Sequence, residues 1–326
     1  MSTTGGGPTL GFLGTPSIPE MVRLARLAEE RGFASIWVAE TRLRRDAISA
    51  AAAIAASTRR VRVATGLINV YTRNPVLIAV TAASLAEVAG GRFTLGLGTG
   101  SEEVLAAQGE DYAKPFTRLK EYLDVLPPLL QGKAVTYRGE IIQVRGAQLE
   151  VVPRSRVPIC LGVTGPRGLA LAGAAADGVL LDVFMPVSYI RRAAIAVAES
   201  ASAAGRDPSD VKIAGIVMTS VGRTAAAARE AVRPAVAGYL TKFPTIAAQS
   251  GFPPEIVSVL QRDTLALGAQ AGARHVTDAM VDALCVAGTG DECRAGVERF
   301  RAAGLACPVL MTPGDVAALI DTFGTR

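Results

Sequence analysis

The chain predicts an α/β fold of the (β/α)8 TIM-barrel type, on three observations. Short apolar runs rich in β-branched residues alternate with longer helical stretches from Thr9 onward, the pattern of parallel strands joined by crossover helices. Eight such runs can be counted. The last is followed by a helix, which completes a barrel in preference to an open doubly wound sheet. A length of 326 residues with 50% hydrophobic positions suits one large core, so we expect a single domain over residues 1–326.

Each element has its own signal. Leu10 to Gly14 reads as the first strand. Ser17 and Glu20 have capping-box spacing, and Met21, Leu24, Ala25 and Ala28 then fall on one helical face until Gly32. Ser35 to Glu40 is the second strand, Asp46 to Thr58 an alanine-rich helix and Val61 to Gly66 the third strand. Asn74 and Pro75 supply an N-cap and a proline at the first helical position, and Leu77, Val80, Ser84, Leu85 and Val88 keep the helical period up to Gly90 and Gly91. Phe93 to Gly98 is the fourth strand. Residues 101–156 form an excursion too long for a simple connection, with a helix from about Phe116 to Leu130 and a hairpin around Arg138 and Gly139.

The alternation resumes with strands at Pro158 to Val163, Gly178 to Val183 and Lys212 to Val221, and helices at Pro166 to Ala175, Val187 to Ala204 and Thr224 to Leu240. Residues 242–273 are a second insertion of mixed character. Thr289 and Glu292 repeat the capping-box spacing before a helix running to Gly304; Cys307 to Met311 is the closing strand and Asp315 to Phe323 the final helix.

Composition excludes several classes of function. A net charge of +5 arises from scattered arginine, without a basic block or an aromatic-interleaved stripe, which argues against nucleic acid as partner; an anionic small molecule or a solvated surface accounts for it. Cys160, Cys285, Cys293 and Cys307 are far apart and His275 is the only histidine, so we expect no metal site. Met1 to Pro8 lacks the basic start and apolar core of a signal peptide, and no uncharged apolar run is long enough to span a bilayer; the expectation is a cytoplasmic protein without a membrane partner. His275 falls outside the strand ends, which disfavours a histidine-activated nucleophile.

In a barrel the working residues lie where strands give way to helices. The junction run Thr65-Gly66-Leu67-Ile68-Asn69-Val70-Tyr71-Thr72-Arg73-Asn74-Pro75 is followed by Ser84-Leu85, by Gly90-Gly91-Arg92-Phe93 and by Leu95-Gly96-Leu97-Gly98-Thr99-Gly100. Together with Leu161 to Leu169, Ala176 to Val179 and Val286 to Thr289, it strongly resembles the luciferase-like monooxygenase superfamily, and within it the branch using the deazaflavin coenzyme F420, such as methylene-tetrahydromethanopterin reductases. The match spans nearly the whole chain.

The resemblance implies a luciferase-like barrel with coenzyme F420 as cofactor, FMN being the alternative, and hydride transfer to or from a small organic substrate. It also implies a homodimer. It further implies a non-prolyl cis peptide at Gly66-Leu67, bulging against the cofactor ring; an ordinary strand end is the other reading of those residues. Asn69, Thr99 and Gly100 would line the ring, although a glycine turn after a strand is also common on steric grounds. Thr164, Gly165, Pro166, Gly168 and Leu169 lie between a strand and a helix start, where unpaired N–H groups and the Arg167 guanidinium can hold a phosphate; simple helix capping explains the segment equally well. Pro166 donates no N–H, so Thr164, Gly165, Gly168 and Leu169 carry the contact.

Glu40 ends the second strand where many relatives carry an aspartate followed by histidine, and can bond the ring edge. Thr41 replaces that histidine. Ser101 stands where a sugar-phosphate dehydrogenase branch has a catalytic glutamate, with Glu102 and Glu103 next, so Glu40, Ser101 and Glu102 are the catalytic candidates. A solvated helix start accounts for Glu102 and Glu103 as well. Trp37 and Phe12 read as core or pocket wall, and Tyr71 and Arg73 as neighbours of the substrate. Three rivals stand beside an F420-dependent oxidoreductase: an FMN-using monooxygenase, a non-catalytic flavin or deazaflavin carrier, and an unrelated phosphosugar barrel.

Overall fold

The structure is a computed structural model and describes residues 7–40 and 43–325. It divides into two compact units, residues 1–180 with 196–212 and residues 181–195 with 213–326.

The first unit contains β1 (Thr9–Phe12), α1 (Ile18–Glu30), β2 (Ser35–Val38), α2 (Ala47–Ser57), β3 (Arg62–Thr65), β4 (Ile68–Asn69), α3 (Pro75–Val88), β5 (Phe93–Gly98), α4 (Glu102–Ala107), α5 (Pro115–Leu130), β6 (Val135–Arg138), β7 (Gln143–Ala147), β8 (Ile159–Gly162), α6 (Pro166–Ala175) and β9 (Gly178–Leu181). Strands β1, β2, β3, β5, β8 and β9 pair in that order, all parallel. The strands are nearly continuous in burial because both faces are covered, which is why they read as unbroken apolar runs and not as alternation. Leu10, Phe12, Ile36, Trp37, Val63, Phe93, Leu95 and Leu97 form the core they share.

Caps set the helix starts. The Ser17 hydroxyl accepts from the Glu20 N–H at 3.3 Å, while the Glu20 carboxylate holds Arg23. Met21, Leu24, Ala25 and Ala28 are buried, as the sequence period requires. Asp46 caps α2 through the Ser49 N–H at 2.7 Å, and Asn74 caps α3 through the Leu77 N–H at 2.8 Å.

The buried face of α3 differs from the expected one. Ile78, Ala79, Ala82, Ala83, Leu85 and Ala86 point inward, whereas Leu77, Val80 and Val88 are 46%, 46% and 47% exposed. With Glu87 as its only charged residue, α3 has no polar face to fix its rotation from sequence, and the small alanines take the tightly packed side.

Within the excursion, α5 starts one residue before the expected Phe116, and the hairpin pairs β6 with β7 around Gly139. The buried Glu121 carboxylate ties the two together by accepting the backbone N–H groups of Glu140, Ile141 and Ile142 at 2.6, 3.1 and 2.7 Å.

After α7 (Val187–Ala203), the second unit holds β10 (Lys212–Val221), α8 (Ala225–Lys242), α9 (Pro244–Gln249), α10 (Pro254–Leu267), α11 (Ala269–Ala273), α12 (Asp278–Leu284), β11 (Val286–Gly288), α13 (Gly290–Ala302), β12 (Cys307–Met311) and α14 (Val316–Phe323). Strand β10 pairs in parallel with β11 and with β12. The insertion at 242–273 is helical, and β11, too short to stand out in sequence, is an additional strand. The Thr289/Glu292 capping box is present in full.

Candidate functional site

The first unit gathers the candidate residues along one edge. Because β2, β3, β5 and β8 are parallel neighbours in register, with Val38 opposite Thr65 and Gly98 opposite Gly162, the residues just past their C-terminal ends share that edge. Glu40 follows β2, Gly66 and Leu67 follow β3, Thr99 and Gly100 follow β5, and Thr164 to Leu169 follow β8.

Strand β3 leaves the ladder through a bulge. Ala64 pairs with Thr94 and Ile68 with Leu97, so four steps on one side match three on the other. The Gly66-Leu67 peptide inside this bulge is cis, as the resemblance implied. Where the ladder is interrupted, the buried Thr65 hydroxyl substitutes for it, accepting from the Gly96 N–H at 2.9 Å and donating to the Gly96 carbonyl at 3.2 Å.

Glycines clear the space around Leu67. A Cβ at Gly98 or Gly162 would stand 2.4 or 2.1 Å from Leu67 Cδ1, and one at Gly96 would stand 2.0 Å from the Thr65 carbonyl oxygen. The sequence motifs contain Gly96, Gly98 and Gly162, but sequence reasoning gave none of them this role. The signal was available in the alternation of Gly96 and Gly98, which strips one face of β5.

Asn69 is committed to the local backbone. Its Oδ1 accepts the Tyr71 N–H at 2.7 Å and its Nδ2 donates to the Thr99 carbonyl at 3.3 Å, so it holds the Thr99-Gly100 turn in place. Gly100 has φ +68° and a Cβ there would meet Asn69 Nδ2 at 2.4 Å. The Thr99 hydroxyl lies 3.2 Å from that of Tyr112, whose ring stacks on Tyr71 while the Arg118 guanidinium covers Tyr71 at 4.3 Å. Tyr112 and Arg118 were missed because they arrive from the excursion, far along the chain.

Glu40 is the most perturbed acid of the edge. Its Oε2 is buried without a hydrogen-bond partner among the described residues. Burial, reinforced by the charge of Asp46, pushes its carboxyl up to about 7, against the opposing pull of Arg73 and of the Ala47 N–H. Asp46 behaves oppositely: burial would raise it, but hydrogen bonds from Ser49 and the charge of Arg73 hold it below the usual carboxylate range. Arg73 Nη2 meets Asp46 Oδ1 at 2.9 Å. Arg73 thus serves an acid of this cluster, a role its sequence context did not reveal. Thr41, the residue replacing the family's histidine, lies outside the described residues.

Ser101 is the N-cap residue of α4 without a side-chain capping bond, and Glu102 and Glu103 are exposed in its first turn. At α6, Gly165 is the N-cap, Pro166 opens the helix, and neither Gly165 nor the space beside it is filled: a Cβ there would meet nothing within 4 Å. The Leu169 N–H, expected among the donors, closes the first turn on the Gly165 carbonyl at 3.0 Å. The unclaimed role passes to the N–H groups of Gly165, Arg167 and Gly168, the first turn of the helix. The Arg167 side chain stacks on Phe116 at 4.1 Å.

A planar cofactor fits these residues. Glycine-stripped strands seat the Leu67 side chain and so let the bulge lie flat against them, an acid with an unpartnered oxygen stands at one end of the edge, and an uncapped helix start able to take an anion stands at the other.

Parallel strands alternating with helices, with polar and glycine turns collected at the strand ends, define the class as a barrel-type cofactor enzyme. The chain belongs to the luciferase-like monooxygenase family, whose model matches residues 2–307. It is 33% identical over 312 residues to the 5,10-methylenetetrahydromethanopterin reductase of Methanolobus tindarius, covering 94% of each chain. Among solved structures it is similar to the coenzyme F420-dependent tetrahydromethanopterin reductase of Methanopyrus kandleri, with TM-score 0.88, 23% identity and 97% and 96% of the two chains covered. It is also similar to an F420-dependent secondary alcohol dehydrogenase in complex with an F420–acetone adduct, with TM-score 0.80, 25% identity and 97% of each chain covered. The fold is accordingly the luciferase-like (β/α)8 barrel.

Proposed function

We propose that the chain is a coenzyme F420-dependent oxidoreductase acting on a small organic substrate. The observation that carries this reading is the edge from Glu40 to Gly168 in a chain so similar to F420-dependent enzymes: a glycine-cleared bulge at Gly66-Leu67 between an acid with a buried, unpartnered oxygen and an open helix start. Bound deazaflavin would supply hydride exchange with the substrate. The protein's part is orientation. Leu67, Gly98 and Gly162 shape the wall, Asn69 fixes the Thr99-Gly100 turn, and the N–H groups of Gly165, Arg167 and Gly168 attract the anionic arm. Glu40, held near neutrality, gives or takes a hydrogen bond at the ring edge, and Ser101 and Glu102 stand at the next strand end as further candidates for proton handling.

The test is binding of F420 and FMN measured separately on purified protein, followed by turnover of reduced F420 against a substrate panel. F420 should bind preferentially; preference for FMN would overturn the cofactor, and tight F420 binding without turnover on any substrate would favour a carrier.

Residues 1–326 form one domain in this reading, and the protein is cytoplasmic and homodimeric. No helix among the described residues is long and apolar enough to cross a membrane. The outer face of α3, with Leu77, Val80 and Val88 exposed on a helix bearing one charge, supports the dimer. Sedimentation of Leu77→Glu beside the parent chain tests it, since a dimer built on this face would dissociate.

A further inference from the structure

Residues 109–114 lie between α4 and α5, and all of them are exposed except Tyr112, which is half-buried. Both ends carry left-handed backbone, at Gly109 with φ +79° and at Lys114 with φ +48°, a conformation that a lysine side chain disfavours. Between them the Ala113 N–H turns back on the Asp111 carbonyl at 2.9 Å, and no backbone–backbone hydrogen bond among the described residues ties residues 111–113 to a strand or helix. Side chains hold the segment instead. The Tyr71 hydroxyl donates to the Ala113 carbonyl at 2.8 Å, and the Tyr112 and Thr99 hydroxyls lie 3.2 Å apart. The Tyr71 and Tyr112 rings stack at 5.5 Å, with the Arg118 guanidinium over Tyr71 at 4.3 Å. Lys114 also pairs with Glu140, an exposed contact that adds little.

Both anchors belong to the cofactor edge. One side chain, Asn69, accepts the Tyr71 N–H and donates to the Thr99 carbonyl, so the residues that hold the segment are set by the same amide that sets the Thr99-Gly100 turn. The closed arrangement is incompletely satisfied, since it buries Arg118 Nε without an acceptor. A segment with left-handed residues at both ends, held by a few partly exposed side-chain contacts, opens at small cost. We propose that residues 109–114 are a strap that opens to admit ligands and latches over the Thr99-Gly100 turn to shield the cofactor ring from water, with Tyr112 as its tip and Tyr71 as the residue that positions it. The shielding role rests on the functional reading above; the latch itself is a property of the cofactor-free chain. Hydride exchange gains from such closure, because water is kept from the reacting face while the ring is held in place.

The latch is read first without cofactor, by fluorine NMR of protein labelled with 3-fluorotyrosine. Tyr71→Phe keeps the ring stack and removes the bond to Ala113; Tyr112→Phe keeps the stack and removes the contact with Thr99. Each variant identifies its own resonance by loss, and the surviving line of the pair reports exchange between latched and open strap. Loss of one hydrogen bond should raise the open population about five-fold in either variant. The second readout is acrylamide quenching of the fluorescence of bound F420, which should become at least about two-fold more efficient in Tyr112→Ala and rise to a lesser degree in Tyr71→Phe. Contacts that serve stability alone would lower the unfolding midpoint and leave the quenching where it is. An open population that rises in neither variant would overturn the latch, and quenching unchanged in Tyr112→Ala would overturn the shielding role. Absence of F420 binding to the parent chain would instead overturn the functional reading and the shielding role with it, and the fluorine spectra, recorded without cofactor, tell that failure from failure of the latch.

Discussion

Replacing Glu40 by glutamine keeps the shape of the side chain and removes its ability to ionise. In the fold the Glu40 carboxyl is raised from an ordinary value near 4.5 to about 7, first by burial and then by Asp46. A native state that holds its proton more tightly than the unfolded chain loses stability as pH rises from about 4.5 to about 7, and the loss is complete above that window. At about 1.4 kcal/mol per pH unit, the full penalty approaches about 3 kcal/mol, a ceiling because the group is only partly buried. Glutamine escapes this penalty. The stability of Glu40→Gln relative to the parent should therefore climb by about 1–3 kcal/mol between pH 4 and pH 8, with most of the gain between pH 5 and 7. For a chain of 326 residues, at about 2 cal/mol/K of unfolding entropy per residue, the upper figure corresponds to about 4 °C in Tm. Urea denaturation of both proteins at half-unit pH steps measures it. A difference that stays flat across the window, or that grows toward acid pH, would refute the assignment of a raised, uncompensated acid at the end of β2.

Three further outcomes follow from contacts elsewhere in the first unit. Gly96→Ala drives a methyl into the Thr65 carbonyl, backbone that cannot yield, and should cost about 3 kcal/mol or more, whereas Gly98→Ala meets only the end of the Leu67 side chain and should cost less than half as much; paired denaturation curves decide. Glu121→Ala leaves the N–H groups of Glu140, Ile141 and Ile142 without their acceptor, which should cost about 3 kcal/mol and accelerate amide exchange selectively at the hairpin turn. At Glu29, burial is outweighed by hydrogen bonds from the N–H groups of Arg60, Val61 and Arg59, which hold the carboxyl below its ordinary range; its stabilisation is present at neutral pH and lost as pH falls through the lowered value, so Glu29→Gln should flatten the acid limb of the stability curve.

What the sequence made legible depended on how local the determining physics is. Phe93–Gly98, Pro166–Ala175, Lys212–Val221 and Cys307–Met311 fall at their expected bounds because glycine, proline and capping residues punctuate them within a few positions. The inward face of α3 was not legible, since an almost uncharged helix looks alike from every side and only its neighbours choose the rotation. Strand β11 is three residues long, below the length at which a pattern can be seen. Within the site, the bulge at Gly66-Leu67 and the turn at Thr99-Gly100 were readable from a contiguous motif. The protonation of Glu40 was not, because it is set first by burial and then by the charge of a residue six positions away, neither of which a strand-end glutamate announces, and the loss of the Leu169 N–H to its own helix emerges only once the first turn is closed.

The bare face of β5 has a consequence for how such a protein diversifies. Alanine, the smallest possible replacement, already collides at Gly96, so selection has essentially no alphabet to work with there. Novelty in what the protein accepts must then be written in the segments that do not touch that strand, such as the span between α4 and α5, which already brings the Tyr112 hydroxyl to within 3.2 Å of that of Thr99.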